Sequence, residues 1–203
     1  MKIVIVDYGM GNLKSISSVF KYLGAGEVII SSEYNQLQSA DRIVLPGVGS
    51  FGKAIREVKG RKLDQHLKEL SIGKKKPLLG ICLGMQLMGL SSTEDGFNEG
   101  LGFAHGVVTK FDSDKMKVPH VGFNQVRVKD QLKLYEGLSD DVDFYFTHSY
   151  KMLSDENINQ CECNYHGNFI ASFEMDNIAG VQFHPELSQN NGLTLLKNFM
   201  NNF

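Results

Sequence analysis

With 203 residues, 42% apolar and 22% charged side chains and a formal net charge of -2, the chain can bury a full core as one ordinary domain without staples. The apolar content excludes disorder, and the near-neutral balance excludes an electrostatic grip on nucleic acid. Three cysteines, odd in number and without framework spacing, point to a reducing compartment.

Residues 3–6 form an unbroken apolar run, the pattern of a strand buried on both faces in the middle of a sheet. The run starts without the cleavage region of a secretory leader, and no apolar segment is long enough to span a bilayer. A soluble, cytoplasmic protein with no membrane contact is the expectation. Asp7-Tyr8-Gly9-Met10-Gly11-Asn12 follows as a turn. The third glycine that a dinucleotide fingerprint needs is missing, so a tight strand-to-helix turn is preferred over a nucleotide site. Leu13, Ile16, Phe20 and Leu23 then repeat at helical spacing.

Short strands are expected at 28–30 and 42–45, the second running into Pro46-Gly47-Val48-Gly49-Ser50-Phe51. Glycines around a valine at the carboxyl end of a strand expose backbone N–H groups where an open parallel sheet binds ligands. Leu63, Leu67 and Leu70 read as core packing, and Lys74-Lys75-Lys76 as a solvated loop.

Pro77 opens the next apolar run, Leu78, Leu79 and Ile81, which stops at Cys82; Met85, Leu87 and Met88 then fall at helical spacing. Gly80 and Gly84 flank Cys82 two residues away on each side, the spacing of a nucleophile elbow with cysteine in place of serine. A sharp bend crowds its neighbours, so glycines are needed there. A helix N-terminus favours an anion, which suits a thiolate and a tetrahedral oxyanion.

Beyond Leu90 the texture changes. Residues 91–96 are polar, and 105–111, 125–128, 143–146 and 169–173 read as shorter strands that extend the sheet in antiparallel fashion. Cys161 and Cys163 read as two positions on opposite faces of a strand, and His166 alone does not complete a zinc site with them. A last buried strand at 178–183 leads into His184-Pro185-Glu186, and Leu193, Leu195, Leu196, Phe199, Met200 and Phe203 close the chain with a helix. The alternation predicts right-handed crossovers and an α/β fold: a single domain over 1–203, an open, mostly parallel sheet with helices on both faces and an antiparallel extension.

His184 and Glu186, two residues apart across a proline, let a carboxylate reach back to an imidazole and fix its tautomer. Cys82 as nucleophile and His184 as its base both end strands, and two adjacent strands bring such groups into reach. An amide is a poor electrophile with a poor leaving group; a strong nucleophile, an acid for the departing amine and donors for the oxyanion answer that need without a metal.

Pro-Gly-Val-Gly-Ser-Phe at 46–51, Gly-Ile-Cys-Leu-Gly-Met-Gln-Leu at 80–87 and Gly-Val-Gln-Phe-His-Pro-Glu at 180–186 resemble the three signatures of class I, triad-type glutamine amidotransferases. Asp-Tyr-Gly-Met-Gly-Asn-Leu at 7–13, Val-Pro-His-Val-Gly-Phe-Asn at 118–124 and Tyr-Phe-Thr-His-Ser-Tyr at 145–150 narrow the resemblance to the glutaminase-subunit family of imidazole glycerol phosphate synthases, over nearly the whole chain.

The resemblance implies a flavodoxin-like fold, no cofactor, and hydrolysis of L-glutamine to glutamate and ammonia by Cys82, His184 and Glu186. It implies a heterodimer with a (β/α)₈-barrel cyclase, which takes the ammonia for imidazole glycerol phosphate and AICAR in histidine biosynthesis. By the same likeness Gly47, Val48, Gly49 and Leu83 bind glutamine and the oxyanion, and Gln86, Glu94, His148, Ser149 and Tyr150 contact the substrate. Two positions depart from the family pattern: Phe123 stands where tryptophan is usual and Leu187 where lysine is usual. Both lie, by resemblance, toward the synthase, and leave open a paralogous glutaminase feeding amidine formation on surface-polysaccharide sugars. A non-catalytic interaction subunit on the same fold would have lost cysteine, histidine or glutamate. A Cys-His-Glu peptidase or γ-glutamyl hydrolase is the remaining alternative.

Overall fold

The computed structural model describes residues 1–129 and 131–203. The first half alternates strand and helix: β1 (Lys2–Val6), α1 (Leu13–Tyr22), β2 (Glu27–Ser31), α2 (Tyr34–Ser39), β3 (Arg42–Leu45), α3 (Phe51–Gly60), α4 (Leu63–Leu67), β4 (Leu78–Ile81) and α5 (Leu83–Leu87). α4 runs on as a π-helical stretch, Lys68–Gly73. The second half is strand-rich: β5 (Ser91–Ser92), β6 (Asn98–Glu99), β7 (Val107–Lys110), β8 (His120–Arg127), β9 (Asp141–His148), β10 (Tyr150–Leu153), β11 (Gln160–Asn164), β12 (Asn168–Met175), β13 (Ile178–Val181) and then α6 (Gln189–Asn202).

The main sheet has nine strands in the order β2-β1-β3-β4-β13-β12-β11-β8-β9. From β2 to β13 every pairing is parallel, and from β13 to β9 every pairing is antiparallel. The antiparallel extension is thus as wide as the parallel half. β10, β7, β5 and β6 make a second, four-stranded sheet that the sequence reading did not anticipate. Its strands are short and one-faced, so their apolar signal is weak.

Alternate residues of the parallel strands feed two cores. Val4, Val6, Ile43 and Leu45 join Phe51, Ile55, Leu63, Leu67 and Met85 on one face, packed by α3, α4 and α5. Ile3, Ile5, Val44, Leu79 and Ile81 join Ile16, Phe20, Leu195 and Phe199 on the other, packed by α1 and α6. Helices cover both faces, as the unbroken apolar runs require.

Two expectations need correction. Cys161 and Cys163 do not face opposite sides of β11; both are buried in the same core, because side chains two residues apart on a strand share a face. The lysine run is not uniformly solvated either. Lys74 and Lys75 pair at the surface with Glu69 and Asp176, whereas Lys76 is half-buried with its ammonium on the Ala40 carbonyl. No helix among the described residues is long and apolar enough to cross a membrane.

Candidate active site

β4 and β13 are neighbours in register, with Ile81 opposite Val181, and the Cys82 N–H donates to the Val181 carbonyl at 2.8 Å. Residues that follow these two strands therefore emerge side by side at the carboxyl ends of the parallel strands. Cys82 takes φ 54° and ψ -112°, a positive φ that costs a non-glycine residue on the order of 1–3 kcal/mol and persists only where the surroundings enforce it. The enforcement comes from α5 pressing onto the sheet. A Cβ at Gly80 would lie 2.8 Å from the Met85 backbone, and one at Gly84 would run into the Leu45 carbonyl oxygen. The two glycines let the helix start directly behind the cysteine.

His184 enters from β13. Its N–H donates to the Tyr145 carbonyl at 2.8 Å, its carbonyl accepts from the Ser188 hydroxyl at 2.7 Å, and Ser188 Oγ accepts in turn from the Tyr145 N–H at 2.9 Å. The imidazole Nδ1 lies 3.0 Å from Glu186 Oε1, with the two side chains 5% and 0% exposed. His184 Nε2 makes no hydrogen bond of ordinary geometry among the described residues. Burial opposes charge on this ring and is the largest single influence. Cys82 and Glu186 together outweigh it and push the imidazole up to about 10.

Cys82 and His184 open onto a common cleft of about 490 Å³, lined also by Asn12, Val48, Gly49, Leu83, Glu94, Pro119, Thr147, His148, Ser149, Tyr150 and Leu187, a volume in the small-molecule range. Of the residues expected from sequence, Cys82, Val48, Gly49, Leu83, Glu94, His148, Ser149, Tyr150 and His184 meet here. Glu186 stands behind His184. Gly47 and Gln86 sit behind the wall instead. A Cβ at Gly47 would lie 2.9 Å from Leu83 Cβ, and Gln86 is 4% exposed. Glu94 Oε2 accepts from the Phe51 N–H at 2.8 Å at the start of α3, and burial raises its carboxyl pKa.

Several contributors carry no role in the sequence reading. Tyr8 is fully buried, donates its hydroxyl to the Pro46 carbonyl at 2.7 Å, and so backs the loop at Gly47; burial and then Cys82 raise its phenol pKa. His120 and His148 face each other across β8 and β9, Nδ1 to Nε2 at 3.0 Å. His148 Nδ1 must donate to the Tyr150 carbonyl at 2.7 Å, so its Nε2 accepts from His120. Burial pushes His120 down to about 4 and His148 to about 3, keeping both neutral. Gln182, fully buried, places its side-chain N–H 3.7 Å from Cys82 Sγ. Its sequence signals are its place in the 180–186 signature and a glutamine inside the apolar run 178–183.

The model of the family described as glutamine amidotransferase class-I matches residues 4–203. Among curated relatives, the chain is 43% identical over 199 residues to imidazole glycerol phosphate synthase subunit HisH 1 of Campylobacter jejuni strain RM1221, covering 98% of each chain. It is 42% identical over 200 residues to subunit HisH of Aquifex aeolicus strain VF5, covering 98% of this chain and 96% of that one. Among solved structures, PurLQS from Thermotoga maritima superposes with a TM-score of 0.77 at 17% identity, covering 99% of this chain and 98% of that one, a likeness of fold.

Proposed function

Because the chain belongs to the class-I glutamine amidotransferase family, we propose that it is the glutaminase subunit of an imidazole glycerol phosphate synthase, a single amidotransferase domain over 1–203. The observation that carries this reading is the meeting of Cys82 and His184 in one cleft from adjacent parallel strands, with Glu186 held on the far side of the imidazole. In the proposed reaction the Cys82 sulfur attacks the side-chain amide carbon of L-glutamine. Negative charge gathers on the oxygen, met by backbone N–H groups of Leu83 and the loop at Val48 and Gly49; one such donor is worth about 3–4 kcal/mol. His184 protonates the departing ammonia through Nε2, leaving a thioester. It then takes a proton from water as the water attacks the thioester, and glutamate leaves. Glu186 holds the ring and stabilises its charged form.

Glu94, His148, Ser149 and Tyr150 are proposed to bind the substrate, and Gln86 to support them from behind the wall. The ammonia passes to a (β/α)₈-barrel cyclase, which uses it to make imidazole glycerol phosphate and AICAR in the cytoplasm. Three unpaired thiols fit that compartment. Exposed apolar residues at the cleft, Val48 and Leu187, and on the adjoining strand β8, Val121 and Phe123, fit a heterodimer seated over the site. Glutamine hydrolysis by the complex, followed as released ammonia, tests the reading. Cys82→Ala is expected to abolish it while circular dichroism and melting stay unchanged; turnover retained by that variant would rule the mechanism out.

A further inference from the structure

The mechanism above leaves one buried amide, Gln182, unused, and gives its neighbour Gln86 no part toward the nucleophile. Gln182 and Gln86 are 0% and 4% exposed, so no bulk water reaches them, and they touch each other directly behind the nucleophile. Gln86 Nε2 donates to the Tyr150 carbonyl at 3.0 Å and to Gln182 Oε1 at 2.8 Å, and Gln182 Nε2 reaches Cys82 Sγ at 3.7 Å. We propose that Gln182 is a positioning residue for the nucleophile: its side-chain N–H holds the Cys82 thiolate, and the Gln86 contact to the Tyr150 carbonyl fixes which end of the amide faces the sulfur.

Donor counting supports the polarity. A glutamine side chain can be turned end for end with little change of shape, so its orientation follows from its partners. The Tyr150 carbonyl is backbone and can only accept, so the NH₂ of Gln86 must face it. The second N–H of that group then meets Gln182 through oxygen. The NH₂ of Gln182 is left for the sulfur. Reversing Gln86 would set two acceptors together, and reversing Gln182 would set two NH₂ groups together and turn a carbonyl oxygen toward the thiolate. The same carbonyl takes a second hydrogen bond from His148 Nδ1 at 2.7 Å, and His148 is held by His120, which Asn124 holds in turn, so the anchor of the chain is itself fixed. In a buried network a reversed or missing link is costly, which is why a fully paired one holds a single arrangement.

The inference rests on Cys82 being the nucleophile of the proposed reaction, so its test reads the thiolate without using turnover. The rate of Cys82 alkylation by iodoacetamide is followed against pH in the full-length chain, with the modified peptide identified by mass. The titratable groups around the sulfur are His184 with Glu186 behind it, Tyr8, and across the cleft His148 and Glu94; all are untouched by the substitutions. Gln182→Met keeps the volume and removes the donor. It is expected to raise the alkylation midpoint by about one pH unit, roughly a tenfold loss of rate below that midpoint. Gln86→Met, which frees the Gln182 amide to turn, should move it the same way by less. An unmoved midpoint in both folded variants overturns the inference, even where Cys82→Ala abolishes turnover. Retained turnover in Cys82→Ala fails the functional reading and leaves the midpoint shift to be read on its own. If Gln182→Met does not fold, the chain labelled with ¹⁵N-glutamine decides. Two buried side-chain NH₂ signals must shift on alkylation of Cys82, the nearer one more, and no movement overturns the proposal.

Discussion

The parallel half of the sheet and the antiparallel half build the same cleft by opposite means. In the parallel half the strands are apolar on both faces, and the groups proposed to react sit just past strand ends: Cys82 after β4 and His184 after β13. Their placement follows from chain connectivity and from close approach of a helix. In the antiparallel half β8 and β9 alternate buried and exposed residues, and the cleft wall is set by neutral, hydrogen-bonded histidines between them. The outer positions of β8, Val121 and Phe123, stay exposed, Val121 paired with Thr147 of the cleft lining. One half thus fixes the proposed chemistry by backbone geometry, the other fixes the wall by polar pairing and leaves an exposed apolar face, the one proposed to meet a partner.

The comparison predicts that single changes in the parallel half damage catalysis far more than those in the antiparallel half. Glu186→Gln keeps the shape and removes the charge behind His184. It should lower kcat/KM of the complex by about 10²–10⁴-fold, the range of acid–base catalysis, with melting nearly unchanged. It should also shift the alkaline limb of the pH profile downward, because Glu186 helps to raise His184. An unchanged profile would remove Glu186 from the proposed triad. Gly84→Ala attacks the bend itself, since its methyl meets the Leu45 carbonyl. The expected cost is about 1–3 kcal/mol in urea unfolding, with activity lost beyond what that destabilisation explains. A neutral result would mean that α5 can slide away from β3.

The parallel half was also the legible one. Apolar runs at 3–6, 43–45 and 78–81 locate buried strands, and Gly80, Cys82 and Gly84 locate the elbow, because glycines at a close approach leave a local mark. The adjacency of β4 and β13 is different: it crosses about half the chain, and only the likeness in residue types on both strand ends hinted at it. The antiparallel half was harder because its pattern is period two with one solvated face, easily taken for loop. His120 lay inside the 118–124 motif but gave no signal of its contact with His148. Its role depends on β8 meeting β9 in a register that places it opposite His148, and the sequence does not state registers. The cysteine pair on β11 shows the same lesson in reverse, since period-two spacing alone puts Cys161 and Cys163 on one face.

In the antiparallel half the expected signature is dependence on pH. His120 and His148 are neutral in the folded protein because burial lowers both, to about 4 and about 3. The unfolded chain binds protons there near pH 6.5, so it holds more protons than the native state as the pH falls below that value. Stability must therefore decline from about pH 6.5 down toward the folded values, each histidine adding a slope of up to about 1.4 kcal/mol per pH unit. His120→Phe preserves the stack between Phe146 and Tyr165 while removing one titrating ring. Chemical denaturation at several pH values should show a shallower acid decline in that variant, and equal slopes would place the acid sensitivity elsewhere.

The smallest effect belongs to the exposed face. Phe123 is 51% exposed, and its ring meets Tyr145 edge-on at 5.6 Å across the β8 and β9 pair. Cross-strand pairs of this kind contribute roughly 0.2–1 kcal/mol to a fold, so Phe123→Ala should barely move the melting point of the isolated chain. If a barrel partner covers this face, the same ring becomes a buried aromatic anchor. Its truncation should then weaken the heterodimer by about 1–2 kcal/mol, read by calorimetric titration of the two subunits. Loss of binding without loss of fold would separate the two halves cleanly: catalytic geometry set at the strand ends, partner affinity set on the outer face of β8. Unchanged affinity would move the partner off this face and leave the exposed rim of Val48, Val121 and Leu187 without that role.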